Sequence, residues 1–474
     1  MSGSATLLAG RLTVAALGWG STVLIARTLS RPEWGQFTFV FGLLFLVSAL
    51  TDLGVGRVAL AGMLDDARDR ARFAGAYLGL RTLLGIGGYG VAVAIVAAAG
   101  YPRSVVVATA VAGVVLVLAT LSHALDVVFQ ATRRFAVPAV AQILGQIALV
   151  ALVAVLAVAD GGLVLFMLPA VLFELVALAY RVARLPAGLR PRPAVELGTW
   201  RSLLRDAAPL TVGLILATAL FRIDVVMLSA LSSFDAVGVY GVAVKFVDLV
   251  HFASTAVTTV ALPLLVAAWP GDLRRFADTL RRCVLLLALV GALALVEFGL
   301  FAGDAIALLY GERYVEGVDA MRLVVAGEVL AFFGALAITA LIAASRSRLY
   351  PAAAAAGLAL NVGLNFWLIP TRSYEGAAIA TLATEILVTA LLVAAAARTV
   401  GRSAFPGGEL VRIVAGAAAA AAAGVSLDRV VPWPVAAVAA AAVLLAVAQL
   451  ARVGGPRGLA DLARPAAAAE AAAP

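Results

Sequence analysis

Polar positions along this chain are confined to short intervals, and the stretches between them stay apolar for about the thickness of a membrane. A helix rising 1.5 Å per residue needs about 20 apolar residues to cross about 30 Å of hydrocarbon. The pattern predicts such runs at residues 5–26, 36–59, 73–99, 104–128, 136–159, 162–182, 204–230, 237–267, 279–302, 319–344, 350–369, 376–398, 409–425 and 432–451. These describe an all-α polytopic membrane protein of about 14 transmembrane helices. The thirteenth run, "AGAAAAAAAG", is the weakest, because alanine contributes little to insertion.

The intervals between the runs are not equivalent. One alternate set holds Arg68, Arg70 and Arg72; Arg133 and Arg134; Arg181, Arg184, Arg190, Arg192 and Arg201; Arg274, Arg275, Arg281 and Arg282; Arg346 and Arg348; Arg398 and Arg402. The other set has little beyond Arg31, Arg103, Arg313, Arg372 and Arg429. Basic residues are retained on the cytoplasmic side, so both termini are expected there, and the alternation requires an even number of spans. The N-terminal run follows no basic region and has no small-residue cleavage site, so it reads as a retained first span and not a signal peptide.

The chain also repeats itself. "LSRPEWGQF" after the first span matches "LSSFDAVGVY" after the seventh, with Gly35 and Phe37 against Gly238 and Tyr240. "RRFAVP", ending at Pro138, matches "RSRLYP", ending at Pro351, and each precedes a helix with spaced amides, Gln142 and Gln146 or Asn361 and Asn365. An offset of six helices is even, so the halves share orientation, and the pattern predicts two six-helix lobes in a parallel pseudo-two-fold repeat with substrate between them. The expected organisation is an N-terminal lobe at 1–183, a Pro/Arg-rich cytoplasmic linker at 184–203, a C-terminal lobe at 204–400, two further helices within 401–452 and an Ala/Pro-biased disordered tail at 453–474.

Composition narrows the class. The 474 residues are 64% hydrophobic and only 13% charged, where soluble domains are near 25% charged. The formal charge of +8 sits in membrane-flanking arginines, so it does not indicate nucleic-acid binding. Cys283 is the sole cysteine, which excludes an intrachain disulfide. There is no phosphate-binding Gly-rich loop and no His/Cys cluster, so neither ATP hydrolysis nor a cofactor or metal is expected.

Charges inside the apolar runs are the candidate site. A charged side chain at the bilayer centre costs about 2.5–3.5 kcal/mol on insertion scales, so these residues are rarely idle. "TVGLILATALFRIDVVMLSALSSFDAVGVYGVAVKFVDLV" carries Arg222, Asp224, Lys245 and Asp248. Lys245, Asp248, Thr255 and Thr258 share a helical face, and Arg222 and Lys245 fall at similar depths from their helix ends, in the outer half. Lys245 is the only lysine in the chain, and its compact ammonium suits a phosphate that must bind and leave. Asp224 and Asp248 are the expected counter-ions, and two purely structural ion pairs are the competing reading.

Toward the cytoplasmic side, Arg11, Asp52 and Arg57 form a candidate entry site for an anionic head group, with snorkelling to the headgroups as the alternative. His123, Asp126 and Gln130 step along the inner end of the fourth helix and read as a solvated helix end. Glu174, Glu297, Glu328 and Glu385 each stand alone in an apolar span and are candidates for a coupling monovalent cation or proton; spacing does not rank them.

The pieces "ARTLSRPEWGQF", "TDLGVGRVAL", "FQATRRF", "FRIDVVMLSALSSFDAVGVYGVAVKF", "LLYGERYVEGVDAMRLV" and "NVGLNFWLIPTRSYEGAAIATLATE" resemble, in order and spacing over about residues 5–400, the polysaccharide-biosynthesis flippases of the multidrug/oligosaccharidyl-lipid/polysaccharide (MOP) exporter superfamily. The resemblance implies two six-helix lobes around a basic central cavity, and alternating access that carries a polyprenyl pyrophosphate-linked oligosaccharide from the inner to the outer leaflet of a bacterial cytoplasmic membrane. It places the cavity cation after "GVYGVAV" on Lys245, the "RID" pair on Arg222 and Asp224, and a first-helix arginine of the lipid II branch on Arg11. It also implies polysaccharide polymerases and glycosyltransferases as partners. A cation-coupled drug antiporter of the same fold is the alternative, and would favour an acidic cavity over Lys245. A membrane glycosyltransferase or polymerase is a third reading; the first outward loop, "RTLSRPEWG", is short for sugar chemistry.

Overall fold

The computed structural model describes residues 3–64, 69–185, 191–346, 348–401, 404 and 406–454, and among them every regular element is helical. The first two predicted spans are α1 (Gly3–Thr28) and the pair α2 (Arg31–Asp52) and α3 (Val55–Met63). Next come α4 (Arg70–Ala98), α5 (Arg103–Ala131), α6 (Ala136–Val158) and α7 (Leu168–Ala183). After the linker come α8 (Leu197–Leu231), α9 (Phe234–Ala268), α10 (Leu273–Leu300), a short α11 (Ala302–Tyr310), α12 (Val318–Ala343), α13 (Leu349–Val400), α14 (Gly407–Leu427) and α15 (Trp433–Leu450). Twelve helices among the described residues are long and apolar enough to cross a membrane. One of them, α13, is two helices joined at Ser373, whose φ of 50° and ψ of −129° leave the helical region. With that division, and with the 26-residue α1, the helices match the predicted spans one for one.

Two details depart from the hydropathy pattern. The second span is not one helix: Leu53 (φ 49°) and Gly54 (φ 64°) are both left-handed and break it into α2 and α3. A helix break in hydrocarbon frees carbonyls that need donors. The Arg81 guanidinium of α4 supplies them to Thr51 O at 2.8 Å and Asp52 O at 3.1 Å, and Thr211 Oγ1 of α8 donates to Leu53 O at 2.6 Å. The connection before α12, between two predicted spans, folds as α11 and a 3-10 turn at Glu312–Gly317.

By contact the chain forms two compact units, Met1–Gly238 and Val239–Pro474. In the first, α2 opens on a Ser30–Glu33 capping box, with Ser30 N–H donating to Glu33 Oε2 at 3.0 Å, an arrangement that stabilises a helix start by about 1 kcal/mol. Just inside that start, Gly35 meets the backbone of Phe234 and Gly238 at the head of α9. A Cβ on Gly35 would collide with Phe234 O and come within 2.9 Å of Gly238 N, and one on Gly238 would collide with Arg31 O. The two repeat glycines thus touch each other, backbone to backbone, and the Arg31–Asp235 ion pair closes the same contact. The linker is strapped to the start of α4: Ala194 N–H donates to Gly75 O at 3.0 Å and Trp200 Nε1 to Ala76 O at 2.7 Å. There the Arg72 hydrogen bond holds the Glu196 carboxyl below the usual carboxylate range.

In the second unit, α14 and α15 pack on α10 through Ala420, Ala440, Leu444 and Ala448, all fully buried. Lipid offers no hydrophobic drive between helices, so small residues that let backbones approach supply the attraction. This explains the alanine run of the thirteenth span, whose value lies in packing more than in hydrophobicity.

Candidate functional site

Lys245, Asp248, His251, Thr255 and Thr258 follow one another at three- or four-residue steps on α9 and share one face. Lys245 Nζ donates to Asp248 Oδ2 at 3.0 Å, and the two side chains are 25% and 28% exposed. Ser254, Thr258 and Thr259 donate to carbonyls three or four residues back on their own helix, such as Ser254 O at 2.8 Å from Thr258 Oγ1. Those hydroxyls are therefore satisfied without water, and the charged groups alone mark the face as polar.

His251 was not singled out in the sequence, yet it joins this face to the interior. Its Nδ1 lies 2.8 Å from Oε1 of Glu328 on α12. The signal was available, since His251 fills the gap between Asp248 and Thr255 at i+3; its partner, 77 residues away, was not. Glu328 is thus distinguished from the other lone acids. Glu174 of α7 accepts from Ser122 Oγ at 3.2 Å, while Glu297 of α10 keeps a buried Oε1 with no hydrogen bond among the described residues.

In the first unit the predicted candidates fall at separate places. On α8 the Arg222 guanidinium lies 4.7 Å from the Phe221 ring centroid and 5.9 Å from that of Phe45, which is cation–π geometry. Asp224 is buried and accepts Val225 N–H at 2.8 Å. Asp52 pairs with Arg81 at 2.9 Å, in the group that caps the broken helix. Arg57 is exposed on α3, and Arg11 lies on α1 with its side chain outside the described residues.

At the inner end of α5, His123 and Gln130 are exposed, while Asp126 is paired. Arg181 of α7, counted among the loop arginines, is 3% exposed and grips Asp126 with two bonds, Nε to Oδ1 at 2.7 Å and Nη2 to Oδ2 at 3.2 Å. Both it and Arg81 escaped the sequence reading because a helix-end arginine reads as a headgroup anchor unless its partner is known. The second unit also holds a groove of about 900 Å³ whose lining includes Val284, Leu330, Phe333, Ile386, Val393 and Arg398.

Among the described residues, twelve helices long and apolar enough to cross a membrane, with charges paired inside them, define a multi-pass α-helical membrane protein. The chain belongs to the polysaccharide biosynthesis protein family, whose sequence model matches residues 1–269, more than half of its length. No curated protein sequence matches it significantly. Among solved structures, the lipid II flippase MurJ in an inward closed conformation aligns with a TM-score of 0.79 at 12% identity, covering 94% of this chain and 98% of that one. An inward-facing multidrug resistance MATE family transporter of the MOP superfamily gives 0.65 at 15%, covering 82% and 95%. A MOP superfamily transporter from Pyrococcus furiosus, described as having a binding pocket of reverse polarity that suggests a different function, gives 0.57 at 13%, covering 84% and 94%. At these identities the likeness is one of fold.

Proposed function

We propose that this protein is a flippase that carries a polyprenyl pyrophosphate-linked oligosaccharide from the inner to the outer leaflet of a bacterial cytoplasmic membrane. The observation that carries the reading is the Lys245–Asp248 pair, a partly exposed cation and counter-ion on a membrane helix of a polysaccharide-biosynthesis protein. An ammonium paired with a carboxylate at i+3 is neutralised while the site is empty, and a pyrophosphate with more charge competes for it. The attraction is strong in low dielectric but rests on one rotatable point charge, so the head group can also leave. Arg222, Arg11 and Arg57 are proposed as further cations along the route, with Asp224 and Asp52 as counter-ions. The apolar groove lined in part by Arg398 suits an isoprenoid tail, whose surface needs no polar partner. We assign the moving lobes to residues 1–183 and 204–400, and the linker and both termini to the cytoplasm. Polymerases and glycosyltransferases of the same polysaccharide are the proposed protein partners.

Flipping of such a lipid by purified protein in vesicles tests the role of Lys245. Lys245→Ala abolishes flipping while thermal stability stays within about 1 kcal/mol of the parent, and Lys245→Arg keeps part of the activity. A structural pair behaves differently: Lys245→Ala lowers stability, and Lys245→Ala/Asp248→Ala restores it. Normal flipping by a well-folded Lys245→Ala protein ends the proposal.

A further inference from the structure

In the first unit two phenylalanines stand open beside a charge. Phe45 of α2 is 44% exposed and Phe221 of α8 is 37% exposed. Their ring centroids lie 6.1 Å apart with the planes tilted by 46°, so the rings form a cleft and do not cover one another. The Arg222 guanidinium lies over both, 4.7 Å from the Phe221 centroid and 5.9 Å from that of Phe45. At 1.5 Å per residue, Phe45 is about 21 Å from the start of α2 and Phe221 about 15 Å from the end of α8. Those two ends lie together at the Arg31–Asp235 pair, so both rings stand near the middle of about 30 Å of hydrocarbon.

That depth excludes an interfacial anchor, since aromatic belts sit at the headgroups. The charge excludes lipid as the neighbour, because an arginine at mid-depth faces a wet cavity or the bundle interior, and the rings it lies on border the same space. Aromatic faces open to water cost free energy until a ligand covers them. The charge also narrows the ligand. A lipophilic cation is repelled by Arg222, and an isoprenoid tail offers the guanidinium edge no acceptor. A pyranose ring meets both demands: one face carries only C–H groups, which lie on an aromatic ring, and its rim carries hydroxyls, which accept from the N–H groups in the guanidinium plane. Further along the same face of α2, at steps of three and four from Phe45, come Ser48 and Asp52. The Asp52 carboxylate is 45% exposed despite its bond to Arg81, and accepts from hydroxyls of the same saccharide.

We propose that Phe45, Phe221 and Arg222 form a carbohydrate platform on which one pyranose ring of the lipid-linked oligosaccharide stacks. The proposal rests on the flippase reading and adds a second point of recognition to it: Lys245 holds the pyrophosphate, and the platform holds the sugar. A face of C–H groups is common to many pyranoses, so the platform senses that a saccharide is loaded and not which one.

The test titrates purified full-length protein in nanodiscs with two probes, a polyprenyl pyrophosphate bearing a single β-linked glucose and the same lipid without sugar. The parent binds the glucosyl lipid about 10-fold more tightly. Phe45→Leu and Phe221→Leu, which keep an apolar side chain and lose the ring, each lower that ratio about 5-fold, while Phe45→Tyr and Phe221→Tyr hold it within about 2-fold. Where a leucine variant does not fold, methionine at the same position supplies the same comparison. Rings that serve packing alone lower the melting temperature of the leucine variants and leave the ratio unchanged, and that result overturns the proposal. So does an equal fall in both affinities, which places the rings at the pyrophosphate or the tail. Flipping of the glucosyl lipid, measured in parallel, separates the two readings. A sugar preference that the leucine variants lose, in a protein that flips neither lipid, sinks the flippase and leaves the platform standing; flipping without the preference sinks the platform alone.

Discussion

A guanidinium that holds both oxygens of one carboxylate inside a helical bundle is satisfied only while the partner stays, and Arg181 with Asp126 is such a pair. Breaking a buried pair from one side strands the other charge at a cost of about 3–5 kcal/mol, while removing both can be nearly neutral. Arg181→Ala should therefore lower the melting temperature sharply in detergent, and Arg181→Ala/Asp126→Ala should recover most of the loss; equal melting of parent and single variant would show the pair to be dispensable. The contrast with Lys245 explains what was legible at this scale. The counter-ion of Lys245 sits three residues on, inside the same helix, so sequence spacing exposed it. Asp126 meets its partner across 55 residues and Glu328 across 77, and no local pattern encodes such a meeting.

At the scale of helices, hydropathy located every span, because the thickness of the bilayer imposes a length on any helix that crosses it. The breaks were less legible. "TDLGVG" is as apolar as a continuous helix, and what permits it to bend is the donation from Arg81 and Thr211 on other elements. The repeat motifs were legible as similarity, and the structure shows that they meet at the heads of α2 and α9, where Gly35 and Gly238 leave no room for a side chain. On the arginine alternation we propose that this contact lies on the outer side and parts when the protein opens outward. In a Cys283→Ala background, Arg31→Cys/Asp235→Cys should cross-link under oxidation and stop flipping, with reduction restoring it. A cross-linked protein that flips at the parental rate would show that the contact need not open.

For the whole molecule the alternation of arginines is the ground for topology, and on it we propose that both termini and the linker lie in the cytoplasm. Single cysteines in the Cys283→Ala background test this directly: Ser233→Cys should react with an impermeant thiol reagent in intact cells, and Ala187→Cys only after permeabilisation. Labelling of position 187 from outside would invert the protein. The fold itself, similar to that of a lipid II flippase and of a multidrug transporter, does not choose the cargo, and we propose that the charge of the site does.

The most direct measurement offers purified protein in sealed vesicles two kinds of cargo, a polyprenyl pyrophosphate-linked oligosaccharide and a lipophilic cationic dye. A site built on Lys245 and its neighbouring arginines should flip the anionic lipid, lose that activity with Lys245→Ala, and leave the dye where it was added. Dye transport by the parent, with the saccharide lipid left in place, would contradict the account and assign the chain to drug export.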